Sequence, residues 1–271
     1  AEQGLGDTIR FARFLPALAA QGRVILACRP VALQALAPLL RQLPIELAAA
    51  DAAPPADCHA DLGSLPWLLG VQPATIPGAA GYLRADPLRM ARWWPQAGGL
   101  ARIGLVWAGN PAHRNDANRS LPPSAVAALL AAAEAAPRLR FVSLQKGPRA
   151  AEAATRYGLP DHSAALTDFA ETAAAIARLD LVITVDSAVA HLAGAMGKPT
   201  WLLLPFAPDW RWMLKRAETP WYTSLRLFRQ STPGDWASIV ARVVARLLRY
   251  YQDSKEGLLF VNKKKQKNFL S

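Results

Sequence analysis

One stretch of sequence decides the fold class: Leu181-Val-Ile-Thr-Val-Asp-Ser-Ala-Val-Ala-His-Leu-Ala-Gly-Ala-Met-Gly-Lys-Pro199. It begins with five aliphatic or β-branched residues, which is typical of a buried parallel strand. Asp186 and Ser187 follow, and they can cap a helix whose first turn holds small side chains. Such a strand–helix unit leaves unpaired N–H groups and the positive end of the helix dipole at the edge of the sheet, where a phosphate can bind.

The predicted helix also carries a histidine. His191 follows Ser187 by four positions, so both lie on the same helix face. Its imidazole could hydrogen-bond the same anion, and Ala188 would let the phosphate approach the backbone. The alternative is an ordinary capped helix whose histidine is satisfied inside the protein. The spacing does not decide between the two interpretations.

Around this unit, short aliphatic runs alternate with longer Ala/Leu/Arg segments of helical period, which predicts βα units around parallel sheets. The predicted strands are 23–27, 45–48, 59–62, 103–107, 140–144, 181–185 and 200–204, with an extended segment at 82–84. The predicted helices are 7–20, 30–41, 87–94, 122–136, 169–179, 187–196 and 235–250, and two more that begin at 64 and 149. A domain boundary in the loop 95–100 gives two open α/β sheets in tandem, 1–98 and 99–250, with the ligand in the cleft between them.

The first of these domains is expected to be incomplete. No predicted strand precedes the segment Gly4-Leu-Gly-Asp7, and the chain begins at Ala1 without an initiator Met. Because a βα unit should begin with a strand, we expect the first strand to lie upstream. The N-terminus has no basic, apolar leader, so no secretory signal is predicted.

Composition excludes several classes of protein. The chain has 271 residues, of which 52% are hydrophobic and 19% charged, so it can form one or two globular domains and is not a disordered tail. No apolar run approaches 18 residues, so no transmembrane segment is predicted. Cys28 and Cys58 are the two cysteines; they exclude a disulfide framework and a cysteine-based zinc cluster, and they favour a reducing cytoplasm.

The net charge of +11 is unevenly distributed. All 23 Arg lie in residues 1–250, whereas residues 251–271 hold five of the eight Lys and no Arg. We interpret 251–271 as an unrelated, Lys-rich tail that is expected to be disordered; with five Lys against two carboxylates it contributes +3 and leaves +8 on the body. That Arg excess suits an anionic small ligand. Nucleic acid is not predicted as a partner, because the aromatic residues of a base-stacking surface are not interleaved with the charges.

Two loops after predicted strands carry candidate ligand-binding residues. Asn110, His113 and Arg119 follow strand 103–107, and Gln145 and Lys146 end strand 140–144. A flexible ammonium at the carboxyl end of a strand suits the oxygens of a leaving diphosphate. Functional residues concentrate in loops at this edge, although the same side chains could be solvated loop charges.

Asp7 is the first carboxylate after the glycine-rich Gly4-Leu-Gly6 segment. It could cap a helix, or it could be a general base that faces the cleft. The segment is too short for the Gly-x-Gly-x-x-Gly dinucleotide fingerprint, which makes an NAD-linked oxidoreductase the weakest of the functions considered.

Five motifs occur in a specific order: Glu2-Gln-Gly-Leu-Gly-Asp-Thr-Ile-Arg-Phe-Ala-Arg-Phe-Leu-Pro16, Trp107-Ala-Gly-Asn-Pro111 with Arg119-Ser120, Ser143-Leu-Gln-Lys-Gly147, Asp186-Ser-Ala-Val-Ala-His-Leu-Ala-Gly194 and Pro208-Asp-Trp-Arg-Trp212. Together they resemble the glycosyltransferase domain that follows tetratricopeptide repeats in many bacterial proteins. That domain is related to the heptosyltransferases of glycosyltransferase family 9 and, more distantly, to the O-linked N-acetylglucosamine transferases. The resemblance covers roughly residues 1–248; the repeats and the first strand are missing from it.

The resemblance implies a GT-B fold, in which two Rossmann-like domains face each other across a cleft and the second holds a sugar nucleotide without a metal. Asp7 matches the carboxylate that heptosyltransferases place near the acceptor, and Arg119 aligns with their basic phosphate ligand. Gln145 and Lys146 resemble the Gln and Lys of the N-acetylglucosamine enzymes. The Asp and His of the donor-site helix correspond to Asp186 and His191.

We therefore predict a metal-independent, inverting transfer of a hexosyl or heptosyl group from a nucleoside diphosphate donor to a hydroxyl group of a glycan, lipid or protein. The predicted catalytic residues are Asp7 and Lys146. The predicted donor-binding residues are Asn110, His113, Arg119, Gln145, Asp186, Ser187, Ala188 and His191. No cofactor is expected besides the nucleotide-sugar substrate. The alternative is a non-catalytic sugar-nucleotide or protein-binding module that survives as a fragment.

Overall fold

The structure is a computed structural model that describes residues 4–95, 100–132 and 135–253. The predicted domain boundary at 95–100 falls largely outside these residues, and so does the predicted tail from residue 254 onward. Residues 251–253 belong to the last helix. Within the described residues, no helix is long and apolar enough to cross a membrane.

The first part of the chain builds a small, mostly helical layer. Its elements are α1 Leu5–Phe11, α2 Leu15–Ala19, β1 Ile25–Cys28, α3 Pro30–Leu40, β2 Glu46–Ala49, α4 Leu65–Leu68 and α5 Pro87–Met90. A 3₁₀ turn at Ala12–Phe14 joins α1 to α2, so the predicted helix 7–20 is confirmed with an interruption. β1 and β2 form a two-stranded parallel sheet.

The second part builds the main sheet and its helices. Its elements are β3 Ala101–Val106, α6 Asp116–Arg119, α7 Pro123–Ala131, β4 Leu139–Ser143, α8 Glu152–Tyr157, α9 Phe169–Ala177, β5 Leu181–Val185, α10 Ala188–Ala195, β6 Thr200–Leu204, β7 Leu225–Arg229 and α11 Trp236–Asp253. The sheet is parallel throughout, in the order β4-β3-β5-β6-β7. This arrangement confirms the predicted α/β fold class with a parallel sheet.

Both faces of the main sheet are covered, as the apolar strand at 181–185 predicts. Ile183 and Val185 pack in one hydrophobic cluster with residues of α7 and α11. Val182 lies in a second cluster, which includes residues of α9 and α10. That second cluster continues into the first part of the chain through α1 and α3. The first layer therefore rests directly on the α9–α10 face.

One predicted strand does not form, and one strand was missed. Residues 59–61 are irregular, and a 3₁₀ turn at Leu62–Ser64 replaces the end of the predicted strand at 59–62. The extended segment at 82–84 joins no sheet, because the N–H groups of Tyr82 and Leu83 both donate to the Ala195 carbonyl at the end of α10. β7 escaped prediction because its run is short and interrupted by charged residues.

Close packing of α10 supplies a stability test. A methyl group added at Gly194 would lie 2.5 Å from the Tyr222 ring, which is fully buried. We expect Gly194→Ala to lower the free energy of unfolding by about 1–3 kcal/mol, because the ring has no room to move. Gly22→Ala is the control, since an added methyl group there meets no atom within 4 Å. Urea unfolding measures both; equal stability of the two variants would contradict the packing.

Candidate functional site

A cavity of about 610 Å³ opens at the carboxyl edge of the main sheet. The ends of β3, β4 and β5, the N-termini of α9 and α10, and the start of α1 line it. Its volume lies in the range of small-molecule sites. All ten predicted site residues are among the lining: Asp7, Asn110, His113, Arg119, Gln145, Lys146, Asp186, Ser187, Ala188 and His191.

The N-terminus of α10 faces this cavity without a side-chain cap. Ser187 is the N-cap residue, with φ −148° and ψ 169°, but its hydroxyl does not hydrogen-bond the first turn. Instead it lies 3.1 Å from the Thr184 hydroxyl. Ala188 and Val189, which follow, also line the cavity. The sequence-based expectation that Asp186 or Ser187 caps this helix is therefore wrong for the Ser187 side chain, while the expected open N–H groups, which can receive an anion, face the cavity.

Asp186 precedes this helix and is buried. Burial raises the pKa of its carboxyl, and the nearby Arg211 and Arg119 guanidinium groups partly oppose that rise. The carboxyl therefore takes up a proton more readily than an exposed aspartate does.

His191 is buried against aromatic rings. Its Nδ1 lies 3.0 Å from the Tyr222 hydroxyl, and its ring stacks on Trp212 with centroids 5.2 Å apart. Burial holds its pKa well below the usual range, and the charges of Arg10, Arg211 and Arg13 lower it further. The imidazole is neutral at physiological pH. Because Nδ1 is already partnered, a contact with a phosphate has to use Nε2.

The start of α1 lies directly against the start of α10. A methyl group added at Gly6 would lie 2.8 Å from the His191 ring and 3.3 Å from the Ala188 backbone. Glycine is thus needed here for close approach. This contact brings Asp7, from the first part of the chain, into a cavity that the second part otherwise builds.

Asp7 is held by two guanidinium groups that the sequence analysis did not single out. Arg211 Nη2 donates to Asp7 Oδ1 at 2.7 Å, and Arg10 Nη2 donates to the same oxygen at 3.3 Å. The available signal was the Asp-Trp-Arg-Trp motif at 209–212, which places an arginine between two aromatic residues. The pairing with Arg211 joins positions 204 residues apart, so no local pattern could reveal it.

The loop after β3 is built around a second ion pair. Arg119 Nε donates to Asp116 Oδ1 at 3.0 Å, and any side chain at Gly109 would collide with both groups. Asn110 Oδ1 accepts from the Ala112 N–H at 3.0 Å, and His113 Nδ1 accepts from the Asn115 N–H at 3.1 Å. Asn110 and His113 thus stabilise turns of this loop while they line the cavity.

Gln145 and Lys146 differ in how many side-chain hydrogen-bonding groups remain available to a ligand. The Gln145 Oε1 accepts from the N–H groups of Trp107 and Ala108, and its Nε2 donates to the carbonyls of Ala108 and Lys146. These four hydrogen bonds use the full capacity of the amide, so Gln145 holds the ends of β3 and β4 together. The exposed Lys146 Nζ donates to the Ser163 carbonyl at 2.7 Å, and an ammonium has two more protons to offer.

Among the described residues, no group of three or more His, Cys, Asp or Glu side chains is arranged to hold a metal ion.

Comparisons with known proteins bear on this site. Residues 138–203 match the sequence profile of glycosyltransferase family 9 (heptosyltransferase). This segment runs from the start of β4 to the end of β6 and includes Lys146 and all of α10. The match therefore covers one wall of the cavity.

A curated relative is Protein FlbA of Caulobacter vibrioides, which is 30% identical over 278 aligned positions. The alignment covers 91% of this chain and 45% of the relative. The chain thus spans about half the length of the curated protein it matches.

Solved structures show the same fold. A glycosyltransferase family 9 protein from Veillonella parvula aligns with a TM-score of 0.60 at 13% identity, over 99% of this chain and 94% of the other. ADP-heptose LPS heptosyltransferase II of E. coli aligns with a TM-score of 0.56 at 13% identity, over 92% and 96%. TibC of enterotoxigenic E. coli, described as an iron-containing dodecameric glycosyltransferase, aligns at 0.57 and 14% identity, over 94% and 75%. The chain shares the GT-B type of fold of these structures.

The depressed pKa of His191 predicts a pH-dependent stability. The folded protein holds this imidazole neutral, whereas the unfolded chain protonates it below a pH of about 6.5. Between the two pKa values the unfolded state binds more protons, so the free energy of unfolding should fall as the pH is lowered below about 6.5, with a slope of up to about 1.4 kcal/mol per pH unit. Chemical denaturation from pH 7.5 to 5 measures this slope.

His191→Gln should flatten this slope, whatever its own stability at pH 7.5. His59→Gln, which changes an exposed histidine, serves as the control and should keep it. A slope that is equally steep in wild type and His191→Gln would show that His191 does not carry the effect.

Proposed function

We propose that this chain is a glycosyltransferase that moves a sugar from a nucleoside diphosphate donor to a hydroxyl group of an acceptor. One observation carries the proposal: a single cavity joins an uncapped helix N-terminus and two cationic side chains, Arg119 and Lys146, to a carboxylate, Asp7. A diphosphate needs the first three groups, and a hydroxyl that loses its proton needs the fourth. The family 9 match over residues 138–203 supports the same reaction.

The proposed chemistry is a single displacement. The acceptor oxygen forms a bond to the anomeric carbon of the sugar while the bond from that carbon to the diphosphate oxygen breaks. Asp7 takes the proton from the acceptor hydroxyl, and the leaving diphosphate carries away the electron pair. A direct displacement inverts the anomeric configuration.

Protein groups supply the positive charge that the leaving diphosphate requires. Lys146, Arg119 and the start of α10 would neutralise it, which is why we propose a metal-independent reaction. His191, through Nε2, and Ser187 would contact the phosphates of the bound donor. Asp186, with its raised pKa, would tolerate the nearby anion.

Other predicted donor-binding residues would act on the shape of the donor site. Asn110 and His113 hold the loop after β3, and Gln145 ties two strand ends together with an amide that has no free hydrogen-bonding group. We propose that Gln145 positions the donor site without hydrogen-bonding the donor through its side chain.

The substrate and setting are also part of the proposal. Two of the structural neighbours are named as a heptosyltransferase and a family 9 glycosyltransferase, and ADP-heptose appears in the name of the first, so we propose a heptosyl or hexosyl donor of this kind. We also propose a glycan, lipid or protein acceptor, a bacterial source and a relation to the repeat-linked and N-acetylglucosamine transferases, all from the resemblance of the motifs quoted above. The proposed cytoplasmic setting rests on the cysteine content. The proposed two-domain division near residue 98 rests on the loop at 95–100.

Nucleotide binding gives the first test of this function. We expect one of ADP, UDP, GDP and dTDP to stabilise the protein, because a ligand at 100 times its dissociation constant adds about 2.7 kcal/mol. The thermal shift should be lost in Ser187→Asp, which adds a negative charge at the start of α10, and kept in Arg114→Ala, which alters an exposed arginine outside the cavity lining. If no nucleotide shifts the wild-type transition, the cavity is not a nucleoside diphosphate site.

Lys146 separates catalysis from binding alone. If its ammonium neutralises charge that develops as the diphosphate leaves, Lys146→Ala should lower turnover of the donor by roughly 10² while the dissociation constant of the intact donor changes little. Steady-state kinetics and calorimetric binding measure the two quantities, with Arg114→Ala as the control. Binding without turnover in the wild type would favour the non-catalytic binding module.

A further inference from the structure

The 3₁₀ turn Trp210–Trp212 presents Arg211 to the cavity in a fixed orientation. Asp209 Oδ1 accepts from the Arg211 backbone N–H at 3.0 Å, and Asp209 Oδ2 lies 3.0 Å from Arg211 Nη1. The other terminal nitrogen, Nη2, donates to Asp7 at 2.7 Å. One guanidinium thus bridges a carboxylate on its own turn and a carboxylate on α1.

The turn itself is anchored to the donor-side helix. Trp212 is fully buried and stacks on His191 of α10. After the turn, Met213 and Lys215 have φ values of 55° and 53°, a left-handed conformation that non-glycine residues adopt only where the surroundings impose it. The turn that carries Arg211 is therefore held in position by its packing against α10.

The Arg211–Asp7 pair is not an ordinary surface ion pair. The side chains are 14% and 18% exposed, and both line the cavity. An exposed pair contributes little because water screens it and both side chains are mobile, whereas here each partner is held by its own element. Arg10, the other partner of Asp7, makes the longer contact of 3.3 Å and packs against the rings of Phe11 and Trp221.

We infer that Arg211 is a positioning residue that holds Asp7 in the orientation required to withdraw the acceptor proton. This inference rests on the proposed glycosyl transfer. Both guanidinium contacts described above go to Oδ1 of Asp7, which assigns Oδ2 to the acceptor hydroxyl. The proton moves from the acceptor oxygen to Asp7 and not to the arginine, because a guanidinium has no acceptor site and stays charged. The same turn contacts α10 through Trp212 and Asp7 through Arg211, so it fixes the position of Asp7 relative to α10.

The test compares Arg211→Lys and Arg211→Gln with Arg216→Lys, an exposed arginine on the same loop that serves as the control. The readouts are ADP release from ADP-β-D-heptose with water as acceptor, and the affinity for ADP. We expect turnover to fall about 10²-fold in Arg211→Gln, as for a misplaced catalytic group, and less in Arg211→Lys, which keeps the charge but not the planar fork. ADP affinity and the Arg216→Lys rates should stay within twofold of wild type.

Two further readouts distinguish positioning from a purely structural role. In Arg211→Gln the loss should fall on kcat and leave the KM for the donor nearly unchanged, because the residue acts on the base and not on the bound donor. In an Asp7→Asn background, Arg211→Gln should change the residual rate less than twofold, because a residue that acts through Asp7 has nothing left to act on.

The failures are distinguishable. If wild type binds none of ADP, UDP, GDP and dTDP, the proposed function is overturned, and this inference with it. If one of the others binds in place of ADP, the same variants are compared on the sugar donor of that nucleotide. Wild-type turnover that survives Arg211→Gln, or an additive loss in the double variant, overturns the role of Arg211 alone. A lower melting temperature with a donor KM that rises as much as kcat falls also overturns it, since that is the result of a structural ion pair.

Discussion

The packing of α10 is the constraint on which the rest of the structure depends. Gly6 lies against its first turn, Gly194 lies against the Tyr222 ring, and the carbonyl of Ala195 accepts two N–H groups from residues 82 and 83. Near the same end Gly197 approaches the Ala80 backbone so closely that a side chain would collide. The first part of the chain therefore packs against both ends of this helix. The cavity lies at the N-terminal end, where this packing places Asp7 close to the uncapped helix N-terminus.

The packing of the first part of the chain against α10 also buries positive charge next to this helix. Arg10 and Arg13 are almost fully buried beside α10, and Arg13 Nη1 donates to the Trp221 carbonyl at 2.7 Å. Burial, together with the charge of Arg211, lowers the pKa of Arg10 to about 10. The same three guanidinium groups keep His191 neutral. Positive charge is thus concentrated on three arginine side chains, of which Arg211 lines the cavity, while the histidine stays a neutral hydrogen-bonding group.

A network of ion pairs and hydrogen bonds between α5 and α9 and the residues next to them also connects the two parts of the chain. Glu171 on α9 accepts from Trp93 Nε1 at 3.1 Å and pairs with Arg92 at 2.6 Å, and Arg89 on α5 pairs with Asp168 at 3.0 Å. Asp168 also caps α9, through the Glu171 N–H. Since Asp168 and the start of α9 line the cavity, this network fixes a second helix N-terminus at the site.

The sequence by itself determined the α/β class and the edge at which the site lies. The run 181–185 is aliphatic or β-branched throughout, which predicts burial on both faces, and the residues that follow it predict a helix; β5 and α10 occupy these positions. The ten candidate residues could be located because each follows a strand or opens a helix, and parallel strands bring such positions to one edge. The hydrophobic periodicity of a segment indicates which of its residues are buried. The predictions of the strands, the helices and the position of the site used only this information.

Only the tertiary structure decided which groups meet. Asp7 is held by Arg211 from 204 residues away, the Gln145 amide is used up within the protein, and His191 is paired with Tyr222. The predicted strand at 59–62 does not form, and β7 forms although charged residues interrupt its short run, because strand formation also depends on a neighbouring strand edge that local sequence does not specify. The hydrophobic periodicity of the sequence predicts that a residue is buried. The identity of its partner is set by long-range packing, and the chemistry of this site depends on those partners.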